Sequence, residues 1–359
     1  MTPLPLPRRP LPRRALLATG LLGALGLGAS ACGGVDGPGS GGSDGAGADG
    51  TAGGGGSAGV ADGFPLELDN CAEQLLLEAP PQRVVLLESS PVTLLEGIGV
   101  LDRVVARAGS FPAEYFTPEL AARLEAIPAL SEELDATGHL QINQEVVIAQ
   151  QPDLVIGLPD GITREGLRGA GAEVLVPRTF CGQLPERASF EDLFAEIATY
   201  GRLFDRTVEA EALTSALQER IEAVRAGSGE RTARTAAVLY PSVGGGPLYT
   251  YGSQSMATAQ LEALGLVNTF GDTAERVFEI SAEPLLAADP DVLIVLYQGE
   301  TTGEEAIAEV TGAERLGGLR AVAEQAVLPL LFNVVEPASP LTLDGLEQIA
   351  DWLDQQATI

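Results

Sequence analysis

Tyrosines and arginines, rather than a catalytic set, carry the chemistry of this chain. Tyr249 and Tyr251 follow the run Gly244-Gly245-Gly246, where missing side chains let a ligand approach the backbone. That run could cradle a phosphate, but no lysine follows it; lysine is absent altogether, which removes Schiff-base and lysine-base chemistry. Neither Gly-x-x-x-x-Gly-Lys nor His-Glu-x-x-His occurs. His139 is the only histidine, so a multi-histidine zinc or manganese site cannot be built. Asp153 and Asp291 are the carboxylates a secreted hydrolase would use, but both fall in helix-to-strand turns, away from the side of an α/β sheet that binds ligands. The residues therefore point to a binder, with a carboxylate hydrolase or a structural lipoprotein as the competing classes. No metal centre and no cofactor are expected.

Two stretches say nearly the same thing. Glu145 opens Gln144–Ile156, and Glu283, 138 positions later, opens Ala282–Ile294. Each reads as a short helix, a Pro-Asp turn (Pro152-Asp153 and Pro290-Asp291), then a β-branched strand. A spacing this long implies two similar lobes rather than a solenoid, whose repeats run to ~20–50 residues. Two lobes make a cleft, a usual place for a ligand.

The elements that must shape that cleft alternate. Strands are expected at Arg83–Leu87, Arg103–Arg107, Leu154–Gly157 and Glu173–Val176, with helices between them, including Pro91–Gly97 and Pro118–Ala126. This order predicts a mostly parallel sheet with helices on both faces. Ser189 then opens a helix with Phe190, Leu193, Phe194, Ile197 and Tyr200 on one face and Asp192 in the capping-box position. After Asp205 a second helix carries Val208, Leu213, Leu217, Ile221 and Val224 to about Ala226. Some 20 helical residues span ~30 Å, enough for a stiff strut, and a second lobe begins with the strand Ala236–Tyr240. The fold class is α/β: two Rossmann-like lobes joined by a long helix, with a ligand cleft between them. The expected organisation is an export signal over 1–31, a lipidated Cys32 with a Gly-rich linker over 32–63, lobes over 64–188 and 229–359, and a helical connection over 189–228.

The leader sets the compartment. Arg8, Arg9, Arg13 and Arg14 precede the apolar run Ala15–Leu27, which is too short for a spanning helix of ~20 residues. Ala29-Ser30-Ala31-Cys32 resembles a bacterial lipobox, with Cys32 as the lipidated residue; the arginine pair admits either general or twin-arginine export. Residues 33–63 are almost wholly Gly, Ala, Ser and Asp, a leash with a mean reach of ~30 Å. No acid precedes Cys32, and four of the 21 bases do, so the mature chain holds 50 acids against 17 arginines, a net charge of about −33. Such a surface repels nucleic acid. In an oxidising compartment Cys71 and Cys181 form a disulfide or remain two buried thiols; the bridge would close a loop worth ~4–5 kcal/mol.

With these features together the chain resembles the substrate-binding proteins of ABC importers that take up ferric siderophores, haem and vitamin B12. The marks run from Pro81-Gln82-Arg83-Val84-Val85 through Glu145 with Pro152-Asp153-Leu154-Val155-Ile156 to Pro247-Leu248-Tyr249-Thr250-Tyr251-Gly252. They continue with Leu264-Gly265-Leu266-Val267-Asn268, Glu283 with Pro290-Asp291-Val292, and Ala338-Ser339-Pro340. The resemblance covers Phe64 to Leu353. It implies that Glu145 and Glu283 dock into arginine pockets of a dimeric permease that works with an ATPase; the bland reading is that each carboxylate favours its helix N-terminus. It also implies that Asn70-Cys71 and Cys181 match a cysteine pattern of exported relatives. The body is expected to be monomeric, held by lipid on the outer face of the cell membrane.

Ligand contacts should lie where strands end. In the first lobe these are Ser89 and Ser90, then Ser110, Phe111 and Tyr115, then Arg178; in the second, Tyr240, Tyr249, Tyr251, Ser253, Tyr297 and Gln298. His139 lies in a loop that reaches the cleft in similar proteins. Arg178 or Arg107 would suit an anionic ferric chelate. Few aromatics remain to flank a corrin or haem face, so a ferric siderophore is the expected cargo, with cobalamin or haem the alternatives.

Overall fold

Short strands of Val, Leu and Ile, too apolar to face water on either side, dictate the layers. The computed structural model describes residues 63–135, 138–182, 185–228, 234–242, 244–312 and 316–358. The export signal, Cys32, nearly all of the linker and residues 229–233 therefore lie outside the described residues. A hairpin of β1 (Leu66–Asn70) and β2 (Glu73–Leu77) comes first. Its two-residue turn, Cys71-Ala72, has φ of 55° and 62°, the left-handed pair that matches the twist of paired strands.

The first lobe follows as β3 (Val84–Leu86), α1 (Val92–Gly97), β4 (Val104–Arg107), α2 (Pro118–Glu125), α3 (Gln144–Ile148), β5 (Leu154–Ile156), α4 (Arg164–Gly169) and β6 (Glu173–Leu175). Its strands lie in the order β4-β3-β5-β6, all parallel. Both β3 and β5 are wholly buried, as a sheet covered on two faces requires. The buried Asn70 amide donates to the Val176 carbonyl at 2.7 Å and accepts from the Val176 N–H at 2.8 Å, while Arg164 Nη2 adds a bond at 2.7 Å. This seam fixes the hairpin to the end of β6. Cys71 and Cys181 then meet in a disulfide with Cα atoms 4.7 Å apart.

The connection is a pair of helices, α5 (Phe190–Leu203) and α6 (Thr207–Gly227). Ser189 and Asp192 form the expected capping box. The two helices pack so closely at Gly201 that a Cβ there would fall 2.6 Å from that of Ala210. The strut α6 touches both lobes: Leu213 lies against Gly97 of α1, and Arg220 reaches across to Asp344 and Glu347 at 2.6 and 2.8 Å.

The second lobe contains β7 (Thr235–Pro241), β8 (Leu248–Tyr251), α7 (Met256–Ala263), β9 (Val267–Asn268), β10 (Val277–Ile280), α8 (Ala282–Ala288), β11 (Val292–Tyr297), α9 (Gly303–Gly312), α10 (Arg320–Ala323), β12 (Val327–Leu331) and α11 (Leu341–Thr358). The order is β10-β8-β7-β11-β12, with β9 also on β7. Strands β8 and β10 run antiparallel, and the others pair in parallel. A single apolar core runs through the connecting helices and one face of both sheets, and a smaller core lies under the outer helices of each lobe.

The sequence repeat has a structural cause. The Asp153 carboxylate accepts from the N–H groups of Gln82 and Arg83 at 2.7 and 2.9 Å, pinning the entry to β3. Asp291 does the same for β7 through the Thr235 N–H at 2.7 Å. Each Pro-Asp turn thus locks its strand to the lobe's first strand, at the end opposite the cleft. Neither aspartate is placed for hydrolysis there.

Candidate ligand cleft and docking glutamates

Parallel strands deliver their carboxyl ends to one side, and here the ends of the two sheets face each other. The turn after β4 carries Tyr115, whose hydroxyl accepts from the Asn333 N–H at 2.9 Å and donates to Asn333 Oδ1 at 3.2 Å, just beyond β12. Leu134 and Leu140 pair in an antiparallel bridge, and Gly138 beside them lies against the second lobe. A Cβ on Gly138 would collide with the Gln298 amide and sit 3.6 Å from the Tyr240 hydroxyl. Tyr240 meets Phe332 edge-on at 5.8 Å, and its hydroxyl is hydrogen-bonded to Gln298. Tyr115 with Phe116 from one lobe, and Tyr240, Tyr297 and Phe332 from the other, bring aromatic rings and phenols together where the lobes meet.

Electrostatics favour neutral contact there. Burial is the largest cause raising Tyr115, Tyr240 and Tyr297 above the usual phenol range, so all three stay protonated and can donate or accept. Glu114 adds to the rise at Tyr115 and Tyr297. Arg107, a candidate for an anionic ligand, is engaged: its guanidinium lies 5.1 Å over Phe111, donates to Leu124 O at 3.2 Å and pairs with Glu132 at 3.3 Å.

The other sequence candidates are placed unevenly. Tyr249 stands directly opposite Tyr240 across the β7–β8 register, half-buried on the same face. Tyr251, two residues on, is a core residue only 2% exposed, because β8 runs antiparallel and carries it away from the cleft. Ser253 is likewise buried and donates to Glu186 O at 2.7 Å, holding the chain that enters α5. Ser89 and Ser90 are buried behind β3, with Ser90 Oγ donating to Glu88 at 2.7 Å. In this structure these four serve packing or internal hydrogen bonds. Ser110 is half-buried after β4. His139 is exposed, with Nδ1 3.7 Å from Asp135, and Arg178 is exposed after β6. The Gly244 N–H, free in principle to meet a ligand, donates to Glu309 at 3.1 Å.

Sequence reasoning missed Phe332 and Asn333, although the apolar run Val327–Leu331 before them is a strand signal whose carboxyl end should have been read. It also missed a small pocket between the lobes, with about 20 Å³ of internal room, bordered by Pro177, Arg178, Glu196, Gln254, Glu336 and Ala338. Arg276 pairs with Glu336 there at 3.6 Å and lies 5.5 Å over the Phe180 ring of the opposite lobe. Among the described residues no group of three or more His, Cys, Asp or Glu is arranged to hold a metal ion.

On the outer side, Glu145 and Glu283 occupy equivalent places. Each lies exposed in the first turn of the helix preceding the strand that pairs with its lobe's first strand. Asn143 caps the first of these helices through a 2.9 Å bond to the Glu145 N–H.

Two α/β lobes with opposed carboxyl ends and a helical strut define an extracytoplasmic substrate-binding protein. The chain belongs to the periplasmic binding protein family, whose sequence profile matches residues 84–330, and is an ABC transporter substrate-binding protein. It is similar to the crystal structure of an ABC-type Fe3+-hydroxamate transport system from Saccharomonospora viridis, with 48% identity and a TM-score of 0.76 over 80% of this chain and 98% of that one. A cobalamin-binding protein of Halobacterium salinarum is 25% identical over 301 residues, 81% of this chain and 74% of its own length. An uncharacterised ABC transporter substrate-binding lipoprotein of Bacillus subtilis is 20% identical over 295 residues, 80% of this chain and 85% of its own.

Proposed function

We propose that this protein captures a ferric hydroxamate chelate between its lobes and delivers it to a membrane permease, with Glu145 and Glu283 as the docking pair. The observation that carries the reading is the 48% identity to the Saccharomonospora viridis protein across nearly its whole length. The cleft supports it: ferric trihydroxamates present carbonyl oxygens and alkyl linkers, which suit neutral phenols and aromatic rings. Engagement of Arg107 by Glu132 argues against the anionic chelate that its position first suggested. Cys32 serves as the lipid anchor, holding the body outside the cell membrane on the Gly-rich leash, and iron enters as cargo rather than as a resident cofactor. The Halobacterium salinarum relative supports cobalamin as a second reading.

Titration of the exported chain with a neutral ferric trihydroxamate, ferric citrate, haem and cobalamin, followed by intrinsic fluorescence, tests this. Submicromolar binding of the trihydroxamate, but not of its metal-free form, is expected. Saturation by cobalamin alone would replace the cargo, and turnover of any ligand would replace the class.

A further inference from the structure

The outer helices α3 and α8 match position by position. Over residues 144–149 and 282–287 the order of exposure is the same: half-buried, exposed, exposed, buried, half-buried, exposed. The buried anchors are Val147 and Leu285, both 0% exposed. The exposed sets are Glu145, Val146 and Ala149 in the first lobe and Glu283, Pro284 and Ala287 in the second. Each helix therefore shows solvent one carboxylate, one apolar side chain and one alanine, and carries no other charge. The far ends match as well. Gln151 and Asp289 close the two turns in the left-handed region, with φ of 51° and 41°. An arginine from another element clamps each end: Arg83 donates to the carbonyls of Gln151 and Gln150 at 2.9 and 2.6 Å, and Arg320 to that of Asp289 at 2.9 Å. Both helices are thus fixed before any partner arrives, which lowers the ordering cost of binding.

Packing within the lobes does not ask for apolar side chains at 146 and 284. The outer face of a surface helix ordinarily carries charged or polar groups, and α4, of similar length in the first lobe, exposes Glu165 and Arg168. Val146 is instead 40% exposed, in a chain with 50 acidic residues. One such residue would mean little; the same placement beside the same glutamate in both lobes means more. A solvated carboxylate contributes little to binding by itself, and the contact strengthens when apolar neighbours exclude water from around it. The glutamates call for a basic partner, and two equivalent patches call for one that offers the same socket twice.

We infer that Val146 and Pro284 are the apolar half of a two-part docking contact, with Ala149 and Ala287 leaving room for close approach. Each glutamate enters a basic socket of the permease while the residue beside it packs on an apolar rim of that socket. The inference rests on the docking reading of Glu145 and Glu283 and not on the identity of the cargo.

The test measures saturable binding of the Cys32→Ser chain to right-side-out membrane vesicles from producing cells that lack their own copy. Val146→Gln with Pro284→Gln keeps both glutamates and the net charge, and should raise the Kd for the vesicles about tenfold. Val146→Gln alone, which leaves Pro284 in its helix, should raise it about threefold, and Val146→Ile should bind as the parent does. Thermal unfolding checks that each variant is folded. Parent-like binding by the glutamine variants, with binding lost in Glu145→Ala/Glu283→Ala, overturns the apolar contact and leaves the docking reading standing. Parent-like binding by Glu145→Ala/Glu283→Ala, or no saturable binding by the parent, overturns the docking reading and the apolar contact with it.

Discussion

Replacing Glu196 by Gln should stabilise the protein, and do so increasingly with pH. The side chain is 4% exposed on α5, and burial raises its carboxyl from the ordinary 4.5 to about 8. A carboxyl raised in the folded state gives its full stability below 4.5; that stability is lost as pH rises toward 8, because the unfolded chain sheds a proton the folded one keeps. At pH 7.5 the shift spans three units, and at ~1.4 kcal/mol per unit the ceiling is ~4 kcal/mol. Glutamine is neutral at every pH and keeps an oxygen for the Arg178 N–H, so it avoids this cost. If half the ceiling survives relaxation of the pocket, the gain is ~2 kcal/mol, or ~4–8 °C in Tm. Thermal and urea unfolding of both proteins at pH 5 and pH 8 measure it. The gain should be under 1 kcal/mol at pH 5 and largest at pH 8. A destabilised variant, or equal gains at the two pH values, would refute the assignment of Glu196 as a carboxyl held neutral by burial.

Asn70→Ala removes three hydrogen bonds and leaves the Val176 peptide groups unpaired, at a cost of ~2–4 kcal/mol in urea unfolding; a loss under 0.5 kcal/mol would show the seam to be dispensable. Tyr115→Phe strips both bonds to Asn333 and should weaken cargo binding several-fold, for ~1 kcal/mol of lost interlobe contact; an unchanged Kd would place the ligand elsewhere. Glu145→Ala with Glu283→Ala should abolish uptake by whole cells while leaving the Kd intact, and a weakened Kd would count against a docking role. Arg220→Ala, which removes a half-exposed network with Asp344 and Glu347, should cost only ~1 kcal/mol after solvent screening; a loss above 3 kcal/mol would make the network part of the core.

Much of the fold was legible because the signals were local and mutually consistent. Val84–Leu86 and Leu154–Ile156 are apolar runs bounded by turn residues, and Ser189 with Asp192 announces a helix through its cap. The antiparallel course of β8 was not legible, because Leu248–Tyr251 has the same alternation in either direction; only its pairing with β7 and β10 settles the sense. That single reversal moved Tyr251 and Ser253 out of the cleft. The hairpin β1–β2 escaped for a different reason. Its turn uses Cys71 and Ala72 with left-handed φ, where glycine or asparagine would have marked it.

The cleft divides along a physical line. Tyr115, Tyr240 and Gln298 could be nominated because a strand's carboxyl end is a property of local sequence, and the two lobes bring them within reach of one another. Glu88, Glu196 and Glu336 could not, because each looks in sequence like one more acid among 50. What distinguishes them is desolvation, a consequence of where the second lobe lands on the first. An acidic surface tolerates most carboxylates at little cost, whereas Glu196 and Glu336 are almost fully shielded from water, with Arg178 beside the first and Arg276 beside the second.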